Sequence, residues 1–133
     1  MGTWSHEPFG NDDANDWAYD LEGSSDLSIV EQALDDALEA EDYLEAPEGA
    51  NAVAAVEVLA KLLGKGTQSD AYTEKIDEWI KTVNEQPSTA LLDKAKRVLE
   101  RVSAEDSELF ELWAEAGNRE WAASINTLKA AIS

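Results

Sequence analysis

Apolar residues return at helical spacing along nearly the whole 133-residue chain, and no stretch sustains the period-two alternation that a strand requires. From Asp26 to Glu41, one face collects Leu27, Val30, Ala33, Leu34, Ala37 and Leu38, with Ser25 or Asp26 as the capping residue. Between Glu48 and Leu63 the repeat is Ala52, Val56, Leu59 and Leu63, bounded by Pro47 and Gly64 as start and stop signals. Tyr72, Ile76, Trp79 and Val83 form the next stripe. Beyond Pro87, Ser88 caps a helix bearing Leu91, Leu92, Ala95, Val98, Leu99 and Val102. Ser107 opens a short helix with Leu109, Leu112, Trp113 and Ala116, which Gly117 closes, and Asn118 caps a last one through Trp121, Ile125, Leu128 and Ile132. Connections this short make neighbouring helices pack as antiparallel hairpins. The chain is therefore expected to be all-α: a single domain over residues 1–133, an irregular bundle of six to seven helices. Residues 1–10 should form an extended segment packed on it, and Glu22 to Ser25 and Gly64 to Ser69 should be loose linkers.

The opening, MGTWSHEPFGNDDANDWAYDL, carries the densest local information. Asn11 followed by Asp12 and Asp13 is a helix start: the Asn side chain accepts an orphan backbone N–H, and the acids face the positive end of the helix dipole. Ala14, Trp17, Ala18 and Leu21 then make an apolar stripe, predicting a helix from about Asp12 to Leu21. Pro8, Phe9 and Gly10 read as a turn that folds Phe9 and Trp4 back onto the bundle, so that Trp4, Phe9 and Trp17 plug one end of its core. The same segment offers a chemical alternative. Asp12, Asp16 and Asp20, at four-residue steps, share one face and could hold a hard divalent cation, joined by His6.

Charge is distributed very unevenly. Of the net -19, residues 1–60 hold 16 acids and no Lys or Arg, hence -16, while residues 61–133 hold 13 acids against 10 bases, hence -3. Such asymmetry disfavours nucleic acid and anionic membrane and favours basic proteins or cations. Glu31, Asp35, Glu39 and Asp42 line a stripe opposite the apolar face of the second helix, where like charges four residues apart oppose helix formation, which marks them as a partner-binding surface. Lys94, Lys96, Arg97 and Arg101 form the dense basic cluster, and acids of the same chain or of a second copy are its expected counterpart.

Several function classes lose their chemistry. With no cysteine there is neither a disulfide framework nor a cysteine-ligated metal. His6 is the sole imidazole, and no Gly-x-Ser-x-Gly elbow exists, which leaves nucleophilic catalysis without its parts. Gly64, Lys65, Gly66 and Thr67 follow a helix rather than a strand and read as a C-cap and linker, not a phosphate loop. No apolar run reaches the length of a membrane span, and the N-terminus lacks the basic and apolar regions of a signal peptide, so a cytoplasmic protein is expected.

Met1, Gly2, Trp4, Pro8, Phe9, Asn11, Asp12, Ala14, Asp16 and Trp17 match the opening pattern Met-Gly-x-Trp-Gly-x-x-Pro-Phe-x-Asn-Asp-x-Ala-x-Asp-Trp of a bacterial family known only as a domain of unknown function, family 4259. Ser5 departs from it where glycine is usual. Glu108, Leu109, Leu112, Trp113 and Trp121 are similar to the family's closing helices. The resemblance reaches both ends of the chain and implies no activity, cofactor or partner.

The residues themselves lead to a small acidic helical protein that is not an enzyme. It is expected to bind a basic partner in the manner of an inhibitor, an immunity protein or a nucleic-acid mimic, with no organic cofactor. Two alternatives use the same acids: a carboxylate-based divalent-cation binder or hydrolase on Asp12, Asp16 and Asp20, and a salt-adapted protein whose function lies in a pocket.

Overall fold

A seventeen-residue helix whose flanks are almost wholly buried organises the molecule. The computed structural model describes residues 7–40, 42–70, 73–83, 85–115, 117 and 119–132. Seven helices follow in order among them: α1 (Asp12–Glu22), α2 (Ser28–Leu38), α3 (Ala46–Leu62), α4 (Glu74–Thr82), α5 (Thr89–Val102), α6 (Glu108–Glu115) and α7 (Arg119–Ala131). The protein is all-α, as its periodicity predicts. The described residues contain no strand, only an isolated parallel bridge between Leu44 and Ser107.

α3 touches all six other helices. The spacing of Ala52, Val56, Leu59 and Leu63 predicts an amphipathic helix, yet every residue from Ala52 to Ala60 is buried and Leu63 is only half-buried. The reason is side-chain size. Ala50, Ala52, Ala54, Ala55 and Ala60 let backbones approach α3 from several directions, so the helix acts as an axle rather than a wall. The neighbours are ordinary amphipathic helices. α5 turns Leu91, Ala95, Val98, Leu99 and Val102 inward and α7 turns Trp121, Ile125 and Leu128 inward.

Helix ends follow local chemistry. Asn11 Oδ1 accepts the Ala14 N–H at 2.7 Å and Ser88 Oγ accepts the Leu91 N–H at 3.1 Å, two of the predicted N-caps. Asp26 stabilises the start of α2 from just outside it: its Oδ1 accepts from the Ser28 amide at 3.0 Å and the Ser28 hydroxyl at 2.6 Å. Those bonds hold the Asp26 carboxyl below the usual carboxylate range. At the other end of α3, Gly64 sits at φ +77°. Its N–H bonds to the Lys61 carbonyl and the Lys65 N–H to the Ala60 carbonyl, the paired bonds of a Schellman motif.

The two predicted linkers are not loose. Trp79 Nε1 donates to the Ser24 carbonyl at 2.8 Å, and the Leu27 N–H donates to Glu85 Oε1, pinning residues 22–27 against α4 and its exit. Gly64 to Ser69 is stapled from within. Glu57, fully buried on α3, accepts the Thr67 N–H at 2.8 Å, the Thr67 hydroxyl at 2.7 Å and the Gln68 N–H at 2.8 Å. Lys61 lies 3.8 Å from Glu57 and 2.7 Å from Asp77. Asp77 in turn accepts from Thr73, so α3, the turn and the start of α4 share one polar line. Gln68 passes the connection to the N-terminal segment, its Oε1 accepting the Phe9 N–H at 2.8 Å.

Phe9 is fully buried and Trp17 is 7% exposed, as the plug reading requires of them. The Phe9 carbonyl also accepts from Asn15 of α1. Trp4, His6, Tyr72, Ala116 and Asn118 lie outside the described residues.

Burial pushes the Glu57 carboxyl above its ordinary value, and the donors from Thr67 and Gln68 together with Lys61 pull it back only in part. A raised folded-state value means that the native protein holds this proton more tightly than the unfolded chain. Its contribution to stability is therefore complete below 4.5 and is lost as pH rises through the folded value. Glu57→Ala should cost about 3–5 kcal/mol, because the Thr67 and Gln68 backbone donors and the Thr67 hydroxyl lose their acceptor, while Lys61 keeps Asp77. Glu57→Gln should cost no more than about 1 kcal/mol, since an amide can accept from both N–H groups while donating to Thr67 Oγ1. Urea unfolding at about pH 5 and about pH 7 checks both, and the Gln variant should lose this component of the pH slope. Gly64→Ala should cost about 1–2 kcal/mol through its left-handed backbone alone, a loss readable in the same unfolding curves.

Candidate functional site

The predicted acidic stripe on α2 is divided by the fold. α5 packs along α2 and places Lys94 Nζ 2.6 Å from Glu31 and 2.8 Å from Asp35. The hydrogen bonds that Lys94 donates first to Asp35 and then to Glu31 push its ammonium above its ordinary value. Arg101 pairs with Asp106 at 3.0 Å and reaches the Ala40 carbonyl just past the end of α2. Part of the basic cluster thus meets acids and carbonyls of its own chain, as expected, while Lys96 and Arg97 are exposed. Of the four stripe residues, Glu31 and Asp35 are engaged internally, and Glu39 and Asp42 are exposed.

Asp12, Asp16 and Asp20 do lie along the exposed side of α1. No group of three or more His, Asp or Glu among the described residues is arranged to hold a metal ion. The carboxylates are nonetheless close enough to sense one another. Burial first, and then the charges of Asp16, Asp12 and Glu48, push the Asp13 carboxyl above its usual range.

A cleft that sequence reasoning missed lies where α1, α2 and α3 meet. It has a volume of about 470 Å³ and is lined by Trp17 and Asp20 of α1, by Ile29, Gln32, Ala33 and Asp36 of α2, and by Glu48 and Asn51 of α3. Its carboxylates come from three helices, so no single helical pattern could reveal it. Gln32 Nε2 donates to Asp36 Oδ1 at 2.9 Å across one turn, and no Lys or Arg lines the cleft. Asn51 Oδ1 is a buried side-chain oxygen with no hydrogen-bond partner among the described residues. A wider, shallower groove of about 800 Å³ runs between the end of α1 and α4, lined by Glu22, Glu74, Asp77 and Glu78 with Trp79 and Thr82. There a base is present: Lys75 lines the groove and lies 4.1 Å from the centroid of the Tyr19 ring.

The family model described as a domain of unknown function (DUF4259) matches residues 2–124. The chain belongs to this family. The match spans the residues of the cleft, the Glu57 staple and the start of α7. No curated protein and no solved structure matches the chain. No described helix is long and apolar enough to cross a membrane.

Because Lys94 sits between two carboxylates at the surface, its contribution should be electrostatic and screened by salt. Lys94→Gln is expected to lower Tm at low ionic strength, with the deficit shrinking as sodium chloride is added; a deficit independent of salt would instead mean lost packing between α2 and α5.

Proposed function

We propose that this protein is a non-enzymatic interaction protein, of the inhibitor or immunity type, whose α1–α3 face binds a basic protein in the cytoplasm. One observation carries the reading. Lys94 engages Glu31 and Asp35, and Lys61 engages the buried Glu57, but Asp12, Asp13, Asp16, Asp20, Asp36 and Glu48 have no ion pair among the described residues. Six carboxylates on three adjacent helices face solvent with no base among them, and the charges of Asp16, Asp12 and Glu48 add to burial in raising the Asp13 carboxyl. A positively charged partner relieves that repulsion and is drawn in by long-range attraction, whereas nucleic acid is repelled.

The carboxylate-metal alternative has less support, since the acids are spread over an exposed surface rather than gathered into the compact oxygen shell that a hard cation demands. Salt adaptation would account for the charge but not for its concentration in the first sixty residues.

The test uses the full chain labelled with nitrogen-15 and a capped Arg/Lys-rich peptide as the probe. Amide shifts are expected along α1, the outer side of α2 and the start of α3. Affinity should fall about tenfold or more between low salt and about 0.15 M, where the Debye length is about 8 Å. Absence of binding at low salt, or shifts spread equally over Glu105, Glu115 and Glu120, would overturn the reading.

A further inference from the structure

Within that acidic face, the cleft between α1, α2 and α3 has properties that a solvated charged surface lacks. Its acids, Asp20, Asp36 and Glu48, stand on three different helices around a concave volume of about 470 Å³, instead of lying along one ridge. That volume falls in the range of ligand pockets, roughly 300–1,000 Å³, which is room for one long side chain and part of the backbone that carries it. The walls are partly apolar, made by Ile29, Ala33 and the accessible remainder of Trp17. The Asn51 side chain also lines the cleft, with its Oδ1 buried beneath the surface and without a hydrogen-bond partner among the described residues.

The chemistry of the occupant follows from this donor and acceptor balance. The three carboxylates accept, so the occupant must donate in several directions and carry positive charge. A small metal ion does not fit, because no three of the described acids come close enough to share one. A guanidinium does. It presents five N–H donors in a planar fork that can span separated carboxylates, and its weakly hydrated faces lie against aromatic and aliphatic walls. An ammonium is a compact, strongly hydrated point charge with three donors, and it gains less from such a slot.

We infer that the α1–α2–α3 cleft is a receptor for an arginine side chain of a basic partner, with the Asp20, Asp36 and Glu48 carboxylates as its acceptors. The inference rests on the reading of the α1–α3 face as a partner surface and assigns that surface its specificity-determining pocket.

The probes are two capped peptides identical except for Arg or Lys at a central position, titrated into the full chain at about 0.15 M salt, where loose charge attraction is screened. The Arg peptide should bind about tenfold more tightly than its Lys counterpart. It should also shift the Trp17 indole N–H and the Asn51 and Gln32 side-chain amide signals. Asp36→Asn and Glu48→Gln each remove a cleft charge and should each weaken the Arg peptide about five- to tenfold, the loss expected for one charge-assisted hydrogen bond. Glu105→Gln, which removes an exposed charge away from the α1–α3 face, should change affinity by less than about twofold. Circular dichroism confirms that each variant is folded. Equal affinity for the Arg and Lys peptides would overturn the pocket while leaving the acidic interaction surface standing, and equal losses in Asp36→Asn and Glu105→Gln would overturn both. Failure of both peptides to bind even at low salt would overturn both. Spermidine displacing the Arg peptide at equal concentration would show that the cleft takes any flexible polycation, and would overturn the assignment to arginine.

Discussion

Burial of α3 on nearly every side is the constraint from which the remaining architecture follows. A helix can be surrounded in this way only if its own side chains are small or apolar, and its alanines meet that demand at several points around its circumference. Close approach has local signatures. A methyl group at Gly49 would stand 3.1 Å from Leu109 Cδ1, so α6 lies almost against the α3 backbone. The one charged side chain at the heart of that helix, Glu57, is tolerable because each of its oxygens is met by donors from a turn only ten residues further on. Its carboxylate uses the backbone amides of Thr67 and Gln68, the groups that a glycine-bearing turn might otherwise offer to an external anion.

Electrostatics and architecture are linked through the order of the helices. The base-free first sixty residues form α1, α2 and most of α3, while the bases sit from Lys61 onward. α5 lies against α2 and lends it Lys94 and Arg101, so neutralisation is concentrated on one side of the bundle. The opposite edge, where α1 meets α2 and the start of α3, has no basic helix beside it. Its carboxylates remain mutually repulsive, and the cleft opens within that edge.

Much of the framework was legible in the residues. The spacing along α5, the Asn11 and Ser88 caps and the Gly64 stop are local signals, each produced by a few neighbouring side chains, and each appears where expected. Phe9 and Trp17 also pack as their apolar character implies. What escaped depended on partners distant in sequence. An apolar stripe on α3 was visible, but burial on its remaining sides depends on helices that arrive later. The density of alanine around a lone Glu57 was the available clue. Glu57 itself gave no signal, because its acceptor role becomes apparent only once residues 67 and 68 fold back. The Glu31 and Asp35 stripe read as free because Lys94 lies some sixty positions away. The cleft needs three helices at once, and periodicity describes one helix at a time.

The Leu44–Ser107 bridge has a topological corollary. The Leu44 N–H bonds to the Asp106 carbonyl at 2.9 Å, the Glu108 N–H to the Leu44 carbonyl at 2.8 Å, and the Ala46 N–H to the Glu108 side chain at 2.7 Å. The backbone thus leaves for α3 and comes home from α5 through one narrow doorway, enclosing α3, α4 and α5 in a loop sealed at its neck. Both ends of that excursion are thereby tied to each other, so the point where α3 departs and the point where α6 begins hold their register whatever the length of the connections between the intervening helices.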